Sequence, residues 1–348
     1  MTAESATSAS PDGRPGAGGV WHLGLRDDEQ PLGREAAAAL VRQAHPEHSD
    51  AVACMACASD RTSPSAWRSG FRIAECRECG FLWVDPMPSR EEMWLYYNKR
   101  RWKPYPPEVV RRKYQPFLAA VREEVPRGES ILDVGCDHGH FAAQLAESGY
   151  RTAGADIDGA ALAYAAERYG LNVYQGDLPD IDVGRTFDAI TILSSLEHTN
   201  HPFEVLSAAA RILRPGGMLL ISTPRGDGLI PGLSRRLFAP ALGAWEFLGP
   251  PSHLTYFTRS SLVAMLRRAG FAKITFRHHD RDSAYKIREF AEVVDLATGA
   301  PGWARTTYPL LRHLRRPARL IGRGDMLLCV ARSPEVPGAG PVHSGSSQ

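Results

Sequence analysis

Long apolar runs, an excess of either charge and a dense set of cysteines are all missing from this 348-residue chain. No stretch of 18 consecutive apolar residues occurs, so no membrane-spanning helix is expected. Lys and Arg number 41 against 39 Asp and Glu, a formal net charge of +2. The chain as a whole therefore has no electrostatic footprint for nucleic acid. Six cysteines are too few for a disulfide framework in a chain of this length. The N-terminal stretch MTAESATSASPDGRPGAGG has no basic start ahead of an apolar core, so no secretory signal is read there. The expected location is cytoplasmic. Residues 1–30 and 334–348, rich in Ser, Ala, Gly and Pro, are expected to be disordered tails. Oligomeric state leaves no mark in the sequence.

Two phosphate-binding turns are also missing. The glycine turn in ILDVGCDHGHF (131–141) runs Gly135-Cys-Asp-His-Gly139 and lacks the middle glycine of the dinucleotide fingerprint G-x-G-x-x-G. No Gly-Lys-Ser/Thr ending occurs, which excludes a P-loop.

The few cysteines that are present are placed with purpose. Cys54, Cys57, Cys76 and Cys79 form two C-x2-C pairs separated by 18 residues. That spacing fits a tetrahedral zinc site, and four protein ligands leave no open position, so the metal is read as structural. Gly80, directly after the fourth cysteine, suits a knuckle turn needing positive φ. Cys136 and Cys329 lie in apolar strand contexts and read as buried thiols.

From residue 130 strands and helices alternate: SILDV, HFAAQLAESG, RTAGADI, GAALAYAAERYG, LNVYQG, FDAITIL, PFEVLSAAARIL, GGMLLIST, RSSLVAMLRRAG, FAKITFRHH and finally DMLLCVARS. Such alternation predicts an α/β fold, a parallel sheet covered on both faces. The expected organisation is a zinc ribbon over 51–86, a helical linker over 87–129 and the α/β domain over 130–332. Stretches 224–257 and 280–323 interrupt the domain as insertions.

Three acids close strands. Asp156 ends the second strand, where a carboxylate can take both hydroxyls of a ribose. Asp177 follows the third and can accept from an adenine amino group. Asp133, at the end of the first, can reach an ammonium directly or through water. Together they describe a nucleoside carrying a positively charged amino-acid tail. Asp158 reads as the next helix's N-cap.

The series ILDVGCDHGHF, AGADID, GDLP, FDAITILSSLEH and LRPGGMLLISTP resembles the ordered motifs of class I S-adenosylmethionine-dependent methyltransferases. PSHLTYFTRSSLVAMLRRAGF and the ribbon followed by DPMPS…YY are similar to a branch whose members often methylate sugars or secondary metabolites. The resemblance spans roughly residues 52–276. It implies a Rossmann-like seven-stranded sheet with the last strand, DMLLCVARS, antiparallel. It also implies Gly135, Cys136 and Gly139 around the cofactor's methionine part, Asp156 on the ribose with Ile157 beside the adenine, and Asp177 and Leu178 against the adenine. Asp137 departs from the pattern, standing where the family usually has glycine; it could crowd the cofactor or pair with its ammonium.

Methyl transfer to a hydroxyl needs an aligned acceptor and a base. Ser194, Ser195, Glu197, His198 and His201 follow the fourth strand, and His253 lies in HLTYF, expected at the pocket mouth. His253 and His198 are the candidate catalytic bases. Relatives that bind magnesium here carry a Glu three residues before the Glu-His pair; Ser194 stands there instead, so no metal is expected beside the base. The expected activity is methyl transfer from S-adenosylmethionine to a small-molecule hydroxyl, of a sugar or secondary metabolite. The alternatives are C-methylation of a nucleotide sugar and a non-catalytic, cofactor-binding zinc-ribbon adaptor. LIPGLSRRLFAPALGAWEFLGPP, with Arg235 and Arg236, reads as a lid or a membrane-surface segment. Arg305, Arg312, Arg315, Arg316, Arg319 and Arg323 stand in a stretch without acids, either a solvated basic helix or a clamp for a phosphorylated acceptor.

Overall fold

The computed structural model describes residues 52–68, 71–93, 107–242, 245, 247–277 and 308–335. Both expected tails (apart from 334–335), residues 94–106 of the linker, Arg305 and most of the second insertion lie outside the described residues. No helix among the described residues is long and apolar enough to cross a membrane.

The first elements are β1 (Thr62–Arg68), β2 (Phe71–Cys76) and β3 (Leu82–Val84), an antiparallel meander. Gly80 takes φ +71° at the knuckle between β2 and β3, as its position predicts. The helical turn after the ribbon opens with a capping box: Ser89 N–H donates to Glu92 Oε2 at 2.7 Å, and Glu92 N–H to Ser89 Oγ at 3.2 Å.

Helix α1 (Pro107–Glu124) leads into β4 (Ser130–Val134), α2 (His140–Glu147), β5 (Arg151–Asp156), α3 (Gly159–Tyr169) and β6 (Asn172–Gln175). The chain then returns to the middle with β7 (Phe187–Leu193), α4 (Pro202–Ile212) and β8 (Leu213–Pro224). The insertion holds α5 (Leu229–Leu237), α6 (Ala239–Leu242) and β9 (Thr255–Tyr256). The last elements are α7 (Arg259–Arg268), β10 (Ala272–Arg277), α8 (Arg315–Leu320) and β11 (Met326–Arg332).

The main sheet has seven strands in the order β10-β11-β8-β7-β4-β5-β6. Neighbours from β8 to β6 are parallel, while β11 runs antiparallel to both β8 and β10. The strand order reverses between β4 and β7, so a crevice opens at their C-terminal ends, where doubly wound sheets bind ligands. β4 is buried along its whole length, because helices cover both faces and no position faces water. On one face Phe117 and Val121 of α1 pack with Phe141 and Leu145 of α2 and Ile131 of β4.

The ribbon does not stand apart. β9, from the insertion, pairs with β3 and completes a four-stranded sheet, β1-β2-β3-β9. Cys76, Cys79, Phe81 and Trp83 share one buried cluster with Phe257, Leu262 and Met265. Trp245, Phe247 and Leu248 of the insertion pack with Phe71, Ile73, Leu82 and Val84. Arg235 forms an ion pair with Glu75 and donates to Ser65 Oγ at 2.6 Å. Trp245, Phe247 and Leu248, expected in a lid or a membrane-surface segment, are thus buried against the ribbon.

Candidate functional site

At the crevice the ends of β4, β5 and β7 meet. Gly135 has φ +69°, and a Cβ built on it would lie 2.0 Å from Ser195 Oγ, so the turn after β7 presses directly on the turn after β4. At Gly139, φ +73°, a Cβ would lie 2.7 Å from the Ala165 Cβ, so α2 and α3 approach closely there. Asp137 also sits in the left-handed region, at φ 50°. The backbone explains why glycine suits this position, and why Asp, which tolerates that region better than most residues, can replace it.

The carboxylates face inward. Asp133 is 3% exposed and accepts a hydrogen bond from the Thr191 hydroxyl at 2.6 Å. Burial pushes its carboxyl up to about 7, the Thr191 bond opposing the shift. Asp156 accepts from the Asp137 backbone N–H at 2.8 Å through Oδ2 and from the Asp158 N–H at 3.0 Å through Oδ1. Burial raises it to about 6, against the pull of those two N–H groups. Asp158 caps α3, accepting from the N–H groups of Ala160 and Ala161 at 2.9 and 3.2 Å.

The side chain of Asp137 has a partner within the turn. It meets His138 Nδ1 at 2.7 Å. Burial lowers the His138 imidazole, yet the Asp137 carboxylate holds it above its ordinary range. Cys136 turns its sulfur toward β5, where a Cβ on Gly154 would sit 2.6 Å from Sγ. Burial holds that thiol well above its usual range. Leu178 is buried in the main core and Ile157 is half-buried. Asp177 Oδ2 lies 2.6 Å from His201 Nε2, a pairing the sequence did not announce.

His198 and His253, 55 positions apart, come together with ring centroids at 4.8 Å and planes at 76°. His198 Nδ1 donates to the Ser252 carbonyl at 2.6 Å, leaving Nε2 as the basic nitrogen of the neutral ring. The Leu254 N–H donates to the Glu197 carbonyl at 2.8 Å, tying the His253 loop to the 3-10 turn Leu196–His198. Glu197 is 1% exposed and accepts from the Thr223 hydroxyl at 3.0 Å. Ligand atoms of Glu197, His198 and His253 all lie within 4.8 Å of one another. All three were candidates from the sequence, but their meeting depends on a distant segment, which spacing alone does not show.

Cys54, Cys57, Cys76 and Cys79 also bring their sulfurs within 4.8 Å. The Cys54–Cys79 and Cys57–Cys76 Sγ pairs are each 3.6 Å apart. Tetrahedral zinc with bonds of ~2.3 Å would place sulfurs about 3.8 Å apart, so the donor set fits that ion. A separate cleft is lined by Arg225, Arg259, Arg277 and Arg319.

Residues 107–275 match the family described as a methyltransferase domain. Among relatives, the ubiquinone biosynthesis O-methyltransferase of Paracidovorax citrulli is 31% identical over 163 residues, covering 41% of this chain and 67% of that protein. The fatty-acid O-methyltransferase of Mycolicibacterium smegmatis is 33% identical over 138 residues, covering 37% and 50%. A solved S-adenosylmethionine-dependent methyltransferase from Mesorhizobium loti is 20% identical with a TM-score of 0.43, covering 63% of this chain and 97% of that one. The chain spans about half the length of several of the curated relatives it matches. With the strand order, the glycine turn and the matched family together, the chain belongs to the class I S-adenosylmethionine-dependent methyltransferases.

Proposed function

We propose that this chain transfers a methyl group from S-adenosylmethionine to a hydroxyl of a small molecule, a sugar or secondary metabolite, and carries one structural zinc on its four ribbon cysteines. The observation that carries the reading is the pair of carboxylates, buried Asp133 and half-buried Asp156, at the ends of adjacent parallel strands beside a left-handed turn. A buried carboxyl raised by desolvation is suited to meet a cation or a pair of hydroxyls. S-Adenosylmethionine supplies an activated methyl on a sulfonium. In this reading Asp133 meets the amino-acid ammonium, Asp156 the ribose hydroxyls, and Ile157, Asp177 and Leu178 border the adenine. Backbone at Gly135, Cys136, Asp137 and Gly139 curves around the methionine part. His253 or His198 takes the acceptor proton, and the Ser252 carbonyl holds His198 in the tautomer that does so. Two relatives bear O-methyltransferase names, which favours oxygen over the carbon of a nucleotide sugar. Incubation with methyl-labelled S-adenosylmethionine and hydroxylated acceptors, followed by location of the label, tests this. Label on carbon overturns the oxygen assignment, and cofactor binding without turnover would point to an adaptor.

A second reading is favoured by Glu197: with His198 and His253 it forms a set able to hold a divalent cation beside the acceptor. Turnover rising on addition of magnesium or manganese, and lost in Glu197→Gln, would select it.

The two raised carboxyls make a pH prediction. Their ordinary value is 3.8, and burial puts them at about 7 and about 6. Ionising them in the unliganded protein lowers stability as pH rises through that range, since a carboxyl raised on folding stabilises the fold only while protonated. A bound cation pulls Asp133 back toward ionisation. Cofactor affinity should therefore rise between pH 5 and 7, with proton release on binding near pH 6. Calorimetry in two buffers of different ionisation heat checks this; heats independent of buffer at pH 6 would contradict it.

A further inference from the structure

Hydrogen bonds tie the four-cysteine ribbon to the segment that carries His253, and that segment to the His198 turn. Cys79, the last of the four, has its carbonyl held by two hydroxyls, Thr258 Oγ1 at 2.6 Å and Ser260 Oγ at 2.9 Å. Both hydroxyls belong to the start of α7, where Thr258 is the N-cap and accepts from the Ser261 N–H at 3.0 Å. Thr258 is 7% exposed, and its methyl group lies 3.0 Å from where a Cβ on Gly80 would sit. Two residues beyond Gly80 begins β3, which pairs with β9 through Leu82 with Tyr256 and Trp83 with Thr255. The ladder continues as Val84 N–H donates to the Leu254 carbonyl at 2.9 Å. Leu254 in turn donates to the carbonyl of Glu197, which adjoins His198. Residues 253–258 are thus clamped to the metal-binding knuckle at one end and to the His198 turn at the other.

We propose that the ribbon is a positioning device for the His198–His253 pair, with Thr258 as the positioning residue that couples the Cys79 knuckle to the His253 loop. This rests on the reading that the histidine pair serves turnover. The coupling acts through strand register. A shift of the knuckle moves β3, β3 carries β9, and β9 carries His253. Displacement of a catalytic group by about 1 Å can lower a rate by ~10²-fold, so a small slackening is enough.

The test uses the full-length, metal-loaded protein. Thr258→Asp with Ser260→Ala keeps a helix-capping acceptor but removes both donors to the Cys79 carbonyl; Thr258→Ser restores the hydroxyl. Zinc per chain, S-adenosylmethionine affinity, kcat, KM and the imidazole resonances of labelled histidines are measured for each. The ring resonances of His198 and His253, assigned through single Gln variants, should move in the double variant and return in Thr258→Ser. The double variant's kcat should fall about tenfold, with zinc content and cofactor affinity within about twofold of the parent. Unmoved ring resonances in the double variant overturn the coupling. So does a fall in kcat accompanied by equal losses of zinc and cofactor affinity, which marks general destabilisation. Moved resonances with unchanged kcat support the coupling and instead remove the histidines from the reaction.

Discussion

Replacing His253 with Ala is expected to lower turnover about 10²- to 10⁴-fold, the usual loss for a general base, while cofactor affinity stays within about twofold. The selectivity follows from geometry. His253 stacks edge-on against His198 at 4.8 Å and lies in the loop leading into β9. The carboxylates assigned to the cofactor are on β4 and β5. His198→Ala is the comparison. Its ring is anchored by the Ser252 carbonyl, so its removal also frees the His253 loop and should raise the acceptor KM as well as lowering kcat. Full turnover in both variants would leave the acceptor proton to another group.

Cys76→Ser is expected to lower zinc from one ion per chain to well below it and to reduce Tm by about 10 °C. Structural zinc contributes folding free energy directly. Here the loss also reaches the main core, because Cys76 and Cys79 are buried in one cluster with Phe81, Phe257, Leu262 and Met265. Each kcal/mol shifts Tm by roughly 2–4 °C in domains of this size, so 10 °C corresponds to a few kcal/mol. Metal analysis and thermal denaturation check it together. Freshly purified protein without zinc would remove the ion from the account.

The central strands were legible because each is a short apolar run bounded by glycine or an acid, and the α/β alternation left few topologies open. The antiparallel last strand was legible only through resemblance; nothing in DMLLCVARS itself fixes its direction. The strand-end acids and the N-cap Asp158 were readable because their positions follow from where strands stop and helices start. β1 and β9 were not. Thr62–Arg68 carries Ser, Pro and Ser in succession, and Thr255–Tyr256 is two residues long; both gain order from tertiary pairing rather than from pattern. The same long-range pairing hid the Asp133–Thr191 bond, the Asp177–His201 contact and the clamp of Thr258 on Cys79. Asp137 looked anomalous as a letter in a motif. Its φ of 50° and its bond to His138 turn it into a tolerated substitution with a partner of its own.

The most direct test of the central claim is calorimetric titration of the full chain with S-adenosylmethionine, alongside Asp156→Ala and Asp156→Asn. The wild-type chain should bind one equivalent. Removing the carboxylate's charge-assisted bonds to the ribose should cost about 2–3 kcal/mol, roughly 30- to 150-fold in Kd. Asp156→Asn retains one acceptor for the turn N–H groups that Asp156 now holds, so a loss in Asn as well as Ala assigns the effect to the carboxylate and not to a collapsed turn. Undiminished affinity in both variants, or no binding by the wild-type chain, would contradict the account.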